Sequence, residues 1–204
     1  MFQRHILLWD RCSVLPVPNL QPNATVSTMN PDSFLLFDAL AVATAAAVMD
    51  VQQHRIPNWL TYPAILTGVL LRFYYFGWNG LLTSIAGCLL AGCIVFLFFA
   101  VRAMGAGDLK LLAALGSLAG PRYTITILLA TAIAGGVLAL VYTATRGRTR
   151  ETLTNVGSVM KFHAWGGLHA HPEINLDNPA ALRMPYGLAI AAGTLYTFAI
   201  AIWR

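Results

Sequence analysis

The strongest constraint on this chain is a succession of apolar runs with only short polar breaks between them. They cover approximately residues 34–49, 59–77, 81–101, 109–119, 123–144 and 184–203. A helix rises about 1.5 Å per residue, so about 20 apolar residues cross the ~30 Å hydrocarbon core of a bilayer. Composition closes off the soluble alternative. Only 10% of the residues are charged, against roughly 25% in soluble domains, too few to keep a folded surface dissolved. The expectation is an all-α, polytopic membrane protein with about six transmembrane helices, at about 34–49, 59–77, 81–101, 108–119, 123–144 and 184–203. The fourth run is near the lower limit of spanning length and is expected to begin at or before Asp108.

Two segments stand apart. Residues 1–30 hold a single four-residue apolar run, Ile6 to Trp9, among Pro, Asn and Ser. That is too short for a signal-peptide core, so they read as a loose N-terminal extension to a membrane-embedded domain over 31–204, with Met29 as an alternative start. Asn30-Pro31-Asp32 suits a helix beginning: a cap, a residue fitted to the first helical position, and an acid at the positive helix end. Residues 146–183 form the longest connection. Within it, Thr152 to Trp165 fits either a surface-lying amphipathic helix or a solvated loop. His163, His169 and His171 have no carboxylate or cysteine at ligand spacing, so no metal and no cofactor are expected. Cys88 and Cys93 read as small buried hydrophobes, and with Cys12 they imply no disulfide framework.

The net charge of +5 does not point to nucleic acid, because the cations fall between apolar runs rather than along one face. Taking alternate connections together puts Arg55, Arg102, Lys110, Arg146, Arg148, Arg150, Lys161 and Arg183 on one side. Arg72, Arg122 and Arg204, with Arg4 and Arg11 of the tail, fall on the other. The richer side is expected in the cytoplasm. Asp50 and Asp108 then lie at the same, cytoplasmic, face, with 146–183 as a cytoplasmic loop.

An aspartate at the centre of a membrane helix costs roughly 2.5–3.5 kcal/mol on an insertion scale, and such residues tend to be functional. Three are in or beside the runs: Asp38, Asp50 and Asp108. Asp38 precedes Asp50 by twelve residues, roughly 18 Å of helix, so the two do not share a site. Asp108 closes Gly105-Ala106-Gly107-Asp108 at a helix start, where the glycines let the backbone bend and another chain approach. Asp50 is followed by Ile56-Pro57-Asn58, which ends one helix and starts the next. A lone aspartate at a helix end more often caps it or pairs with a cation such as Arg55 or Lys110. Two at one face suit different chemistry. Paired carboxylates hold one proton between them; one takes a proton from an attacking water while the other hydrogen-bonds a peptide carbonyl. Which plays which part is not assigned, since the pair titrates as a unit.

Three blocks together resemble the prepilin peptidases, membrane aspartic proteases with a Gly-x-Gly-Asp motif. They are Asp50 through Asn58, Met104 through Lys110, and Met184-Pro185-Tyr186-Gly187-Leu188-Ala189-Ile190. The resemblance covers roughly residues 34–204. It implies that Asp50 and Asp108 are catalytic, with Gly105, Gly107, Lys110, Pro57, Asn58, Pro185, Tyr186 and Gly187 supporting the site. It also implies substrates that are type IV prepilins or pseudopilins, with a short basic leader ahead of an apolar helix, cut at the cytoplasmic face of the bacterial inner membrane. The Pro-Tyr-Gly block is similar to that of short members serving tight-adherence, Flp-type pili. Longer members carry an insertion with two Cys-x-x-Cys pairs and also methylate the new N-terminus. No such pair occurs here, so cleavage without N-methylation is expected. Membrane lipid is the other expected partner, and a homo-oligomer is left open. The alternative is a small proton-coupled transporter relaying protons through intramembrane aspartates. No internal symmetry supports it, and carboxylates at one face suit a relay across the membrane poorly.

Overall fold

The computed structural model describes residues 31–145 and 184–203. Residues 1–30, expected as a loose extension, the histidines and the suggested helix of 146–183, and Arg204 lie outside the described residues. The elements are four helices: α1 (Pro31–Gln53), α2 (Asn58–Ala100), α3 (Ala106–Thr145) and α4 (Gly187–Trp203). There is no strand among the described residues.

Helix α1 begins at Pro31 with Asp32 in its first turn, as the local sequence dictates. It runs on through Asp50 to Gln53, so Asp50 lies inside the last turns of the helix rather than beyond its end. The Asp50 carbonyl accepts the His54 N–H at 2.8 Å, and His54 turns the chain at φ 50°.

A straight helix of 43 residues would be about 65 Å long, twice the thickness of a hydrocarbon core. Helix α2 instead breaks at Gly77, whose φ of 59° is open to glycine without a Cβ clash. The Arg72 guanidinium bonds the Thr83 hydroxyl at 3.2 Å, although eleven residues of straight helix would separate them by about 16 Å. The chain therefore folds back there. Helix α3 breaks likewise at Gly120 (φ 73°), just before Pro121, which cannot continue the preceding ladder. Asp108 and Thr131, on its two halves, line one cavity, as only a reversal between them allows. The four elements thus comprise six helical segments, broken close to where the apolar runs of the sequence are interrupted. Three of the four helices are long and apolar enough to cross a membrane.

The first half of α3 (106–119) is central. From Leu111 to Gly120 every residue but Ala113 is buried, and this part of the helix is apolar all round, as a helix packed on every side must be. It takes the second half of α2 at closest range: a Cβ on Gly87 would meet the Gly116 carbonyl, and one on Gly116 the Gly87 carbonyl. Ser84 donates to the Ser117 carbonyl at 2.9 Å beside them. The shortness of this segment, about 20 Å, is tolerable because protein rather than lipid surrounds it. Outward-facing residues such as Leu66, Leu82, Leu129 and Ile133 are large, apolar and exposed, as a lipid-facing surface requires.

Candidate active site

One end of the bundle collects the last turns of α1, the starts of α2, α3 and α4, and Met184 to Tyr186. Asp50 projects from α1 and is 7% exposed. Its Oδ2 accepts the Gly187 N–H at 2.7 Å, one of the donors that a helix start leaves without a partner. The acid thus sits at the positive end of α4. A Cβ on Gly187 would lie 2.9 Å from Asp50 Cβ and 3.0 Å from its Oδ2, so a glycine is what lets α4 approach the carboxylate.

Asp108 occupies the third helical position of α3, with its carboxylate beside the Gly105 backbone at the helix cap, where a capping box places an acid. That position is compatible with the capping role weighed from sequence and leaves the carboxylate facing the cavity described below. The Asp50 and Asp108 carboxylates act on each other electrostatically, and Tyr186, next to Gly187, also feels the Asp108 charge. Asp38 is half-buried on the other half of α1, apart from the pair as its spacing requires.

Asp108 opens onto a cavity of ≈ 580 Å³ that Gly105, Met184 and Tyr186 also line. The Tyr186 ring packs over Gly135, where a Cβ would come within 2.7 Å of Cε2. Thr131 lines the cavity too. It is 2% exposed and its hydroxyl has no hydrogen-bond partner among the described residues, whereas Thr124, Thr143, Thr194 and Thr197 each bond back to the carbonyl four residues earlier.

The other sequence-predicted residues divide. Gly105 stands at the site, where a Cβ would lie 3.2 Å from Asp108 Oδ2; Gly107 faces Ile56 instead, at 3.2 Å from its Cβ. Neither adopts a left-handed φ, which among the described glycines belongs to Gly77 and Gly120. Their contribution is space rather than backbone freedom. Pro57 supplies the extended residue ahead of α2 (φ −74°, ψ 143°). Lys110 Nζ donates to Asn58 Oδ1 at 2.9 Å and lies over the Tyr62 ring, tying α3 to α2 at this end. Pro185 precedes Tyr186, and its carbonyl accepts the Leu188 N–H at 3.4 Å.

Sequence reasoning missed Arg72 as a structural centre. Buried at the opposite end of the bundle, it donates from Nε to the Leu118 carbonyl at 2.9 Å and from Nη2 to that of Ala119 at 2.7 Å. It also reaches Asp32 at 3.3 Å. The signal was an arginine within an apolar run, together with the Gly120-Pro121 break whose open carbonyls it fills. Among the described residues no His, Cys, Asp and Glu group could hold a metal.

Fold and site together define a polytopic helical membrane protein built around two interacting aspartates. The chain belongs to the type IV leader peptidase family, whose sequence pattern matches residues 38–140, half of the chain and both aspartates included. Among similar proteins, the prepilin leader peptidase/N-methyltransferase of Burkholderia pseudomallei (strain 1026b) is 35% identical over 124 residues, 56% of this chain and 38% of that protein. The protein of that name from Vibrio cholerae is 34% identical over 118 residues, 53% of this chain and 45% of its own. The one from Xanthomonas campestris is 29% identical over 127 residues, 59% of this chain and 44% of its own. The chain spans less than half the length of these relatives. No solved structure shows a significant match.

Proposed function

We propose that the protein is a membrane aspartic endopeptidase that removes the leader peptide of type IV prepilins or pseudopilins, with Asp50 and Asp108 as its catalytic pair. The observation that carries this reading is that two carboxylates, from α1 and α3, lie at one end of an apolar bundle within electrostatic reach of each other. Of such a pair, the ionised member takes a proton from water as the water attacks the peptide carbonyl. The protonated member hydrogen-bonds the carbonyl oxygen and then protonates the departing amine. The α4 N-terminus, through the Gly187 N–H, fixes the Asp50 carboxylate, so that one need not be ordered at the moment of reaction.

All six helical segments cross the bacterial inner membrane, and the aspartate end faces the cytoplasm, where Arg55, Arg102 and Lys110 gather. A basic leader and an apolar segment suit a carboxylate site at that boundary. The named activity of the relatives, the peptidase half of it, supports the same substrate class. Co-expression with a candidate Flp-type prepilin, following leader removal on a gel, tests the reading. A prepilin left uncut by abundant, inserted protein counts against it. The mass of the mature pilin N-terminus tests whether cleavage occurs without N-methylation; a product heavier by one methyl group defeats that part.

A further inference from the structure

The cavity beside Asp108 opens on the flank of the bundle as well as at its polar end. Ile94 and Phe98 on the second half of α2, and Ile125 and Leu129 on the second half of α3, line it and are all exposed. Exposed apolar faces are expected wherever such a bundle meets lipid. This one is concave and has a carboxylate among its lining residues. Along α3 the lining extends from Ile125 to Ala132, about 10 Å of helix axis. One turn of helix, taken as ~10 Å wide and ~5.4 Å high, fills about 420 Å³, against the ≈ 580 Å³ available. The groove therefore has room for about one turn of apolar helix, or the same few residues unwound, and not for a whole span. Among the described residues Asp108 is its sole charged lining residue, so it offers an apolar segment a seat and a basic leader none.

Resting on the peptidase reading, we infer that this groove is a lateral docking site for the prepilin's apolar segment. The first turn of that segment beyond the cut bond enters from the lipid between α2 and α3 and carries the bond to Asp108. The basic leader lies on the polar side, beyond Met104 and Gly105. The groove thus selects for an apolar residue run on one side of the bond by shape, while the carboxylates act on the bond itself.

Filling the groove tests this. Ala132→Trp and Leu129→Trp place bulk in it, and Val141→Trp does the same at an exposed position of α3 outside it. Cleavage of a prepilin in membranes should fall by about tenfold or more for both groove variants and stay within about twofold for the control. In parallel, a photo-reactive phenylalanine at position 129, in protein inactivated by Asp50→Asn, should crosslink to the prepilin, and the same probe at position 141 should not. The crosslink decides the matter if the tryptophan variants prove unstable in detergent. Groove variants that cut at wild-type rate overturn the docking site, as does a 129 crosslink to a second copy, to residues 146–183 of the same chain, or to lipid alone. A wild-type protein that cuts no prepilin defeats the peptidase reading and this occupant together, whereas normal cutting with an indifferent groove defeats the groove alone.

Discussion

Asp50 holds the Gly187 N–H at a helix start, and Asp108, from a different helix, lies within its electrostatic reach. Asparagine preserves the shape of either side chain but cannot exchange a proton. Asp50→Asn and Asp108→Asn should therefore each abolish leader removal while leaving the protein inserted, and the double variant should be no worse than either single. Residual cleavage by one single variant, followed on a gel, would remove that residue from the pair. The glycines around them separate by what they face. A Cβ on Gly187 would push against Asp50 and against Ala47 Cα, 3.2 Å away, within the packed end of α1. A displacement of about 1 Å costs on the order of 100-fold in rate, so Gly187→Ala should lose most activity at near-normal abundance. Gly105→Ala crowds the Asp108 carboxylate and should be intermediate. Gly107→Ala presses on Ile56, part of the packed apolar cluster, and should lower thermal stability more than turnover. Measuring melting and cleavage on the same three purified variants checks the order; parallel losses in all three would reduce these glycines to packing residues.

At the scale of elements, the two glycine breaks convert long helices into hairpins, and Arg72 holds the far ends together. The last carbonyls before Gly120 have no helical donor, and Arg72 supplies them from inside the bundle. Its bond to Asp32, whose side chain is half-exposed, adds little by comparison. Arg72→Leu leaves two buried acceptors open, each worth about 1–3 kcal/mol. The expected outcome is a melting temperature lowered by several degrees in detergent, with the surviving protein cutting at near-normal rate, because the aspartates lie at the other end. A stable but inactive Arg72→Leu would tie this arginine to the chemistry instead.

For the whole molecule, the proposed orientation can be read directly. Reporter fusions after Arg55, after Met104 and within 146–183 should signal cytoplasm, and fusions after Trp78 and after Arg122 should signal the outside. The reversals at Gly77 and Gly120 place Arg55 and Met104 at one end of the bundle and Trp78 and Arg122 at the other. An outward signal from 146–183 would part that connection from the aspartate end and undo the six-span arrangement.

The sequence alone determined the helical segments and roughly where they break, because lipid leaves so few ways to satisfy a backbone. Apolar runs, Pro31 and Ile56-Pro57-Asn58 mark boundaries that depend on local chemistry only. It also singled out Asp50 and Asp108, since a carboxylate beside an apolar run is costly without a purpose. What lies opposite each residue was decided by tertiary structure. Nothing local to Gly187 announces that its N–H meets Asp50, and nothing local to Gly107 says that it faces Ile56 rather than a carboxylate. The same holds for Arg72, which reads as a loop cation until two helices close around it. Periodicity reports which residues avoid water; in a bundle wrapped in lipid almost every face does so, and the pairing of faces is left to shape, to small residues and to the few buried polar groups.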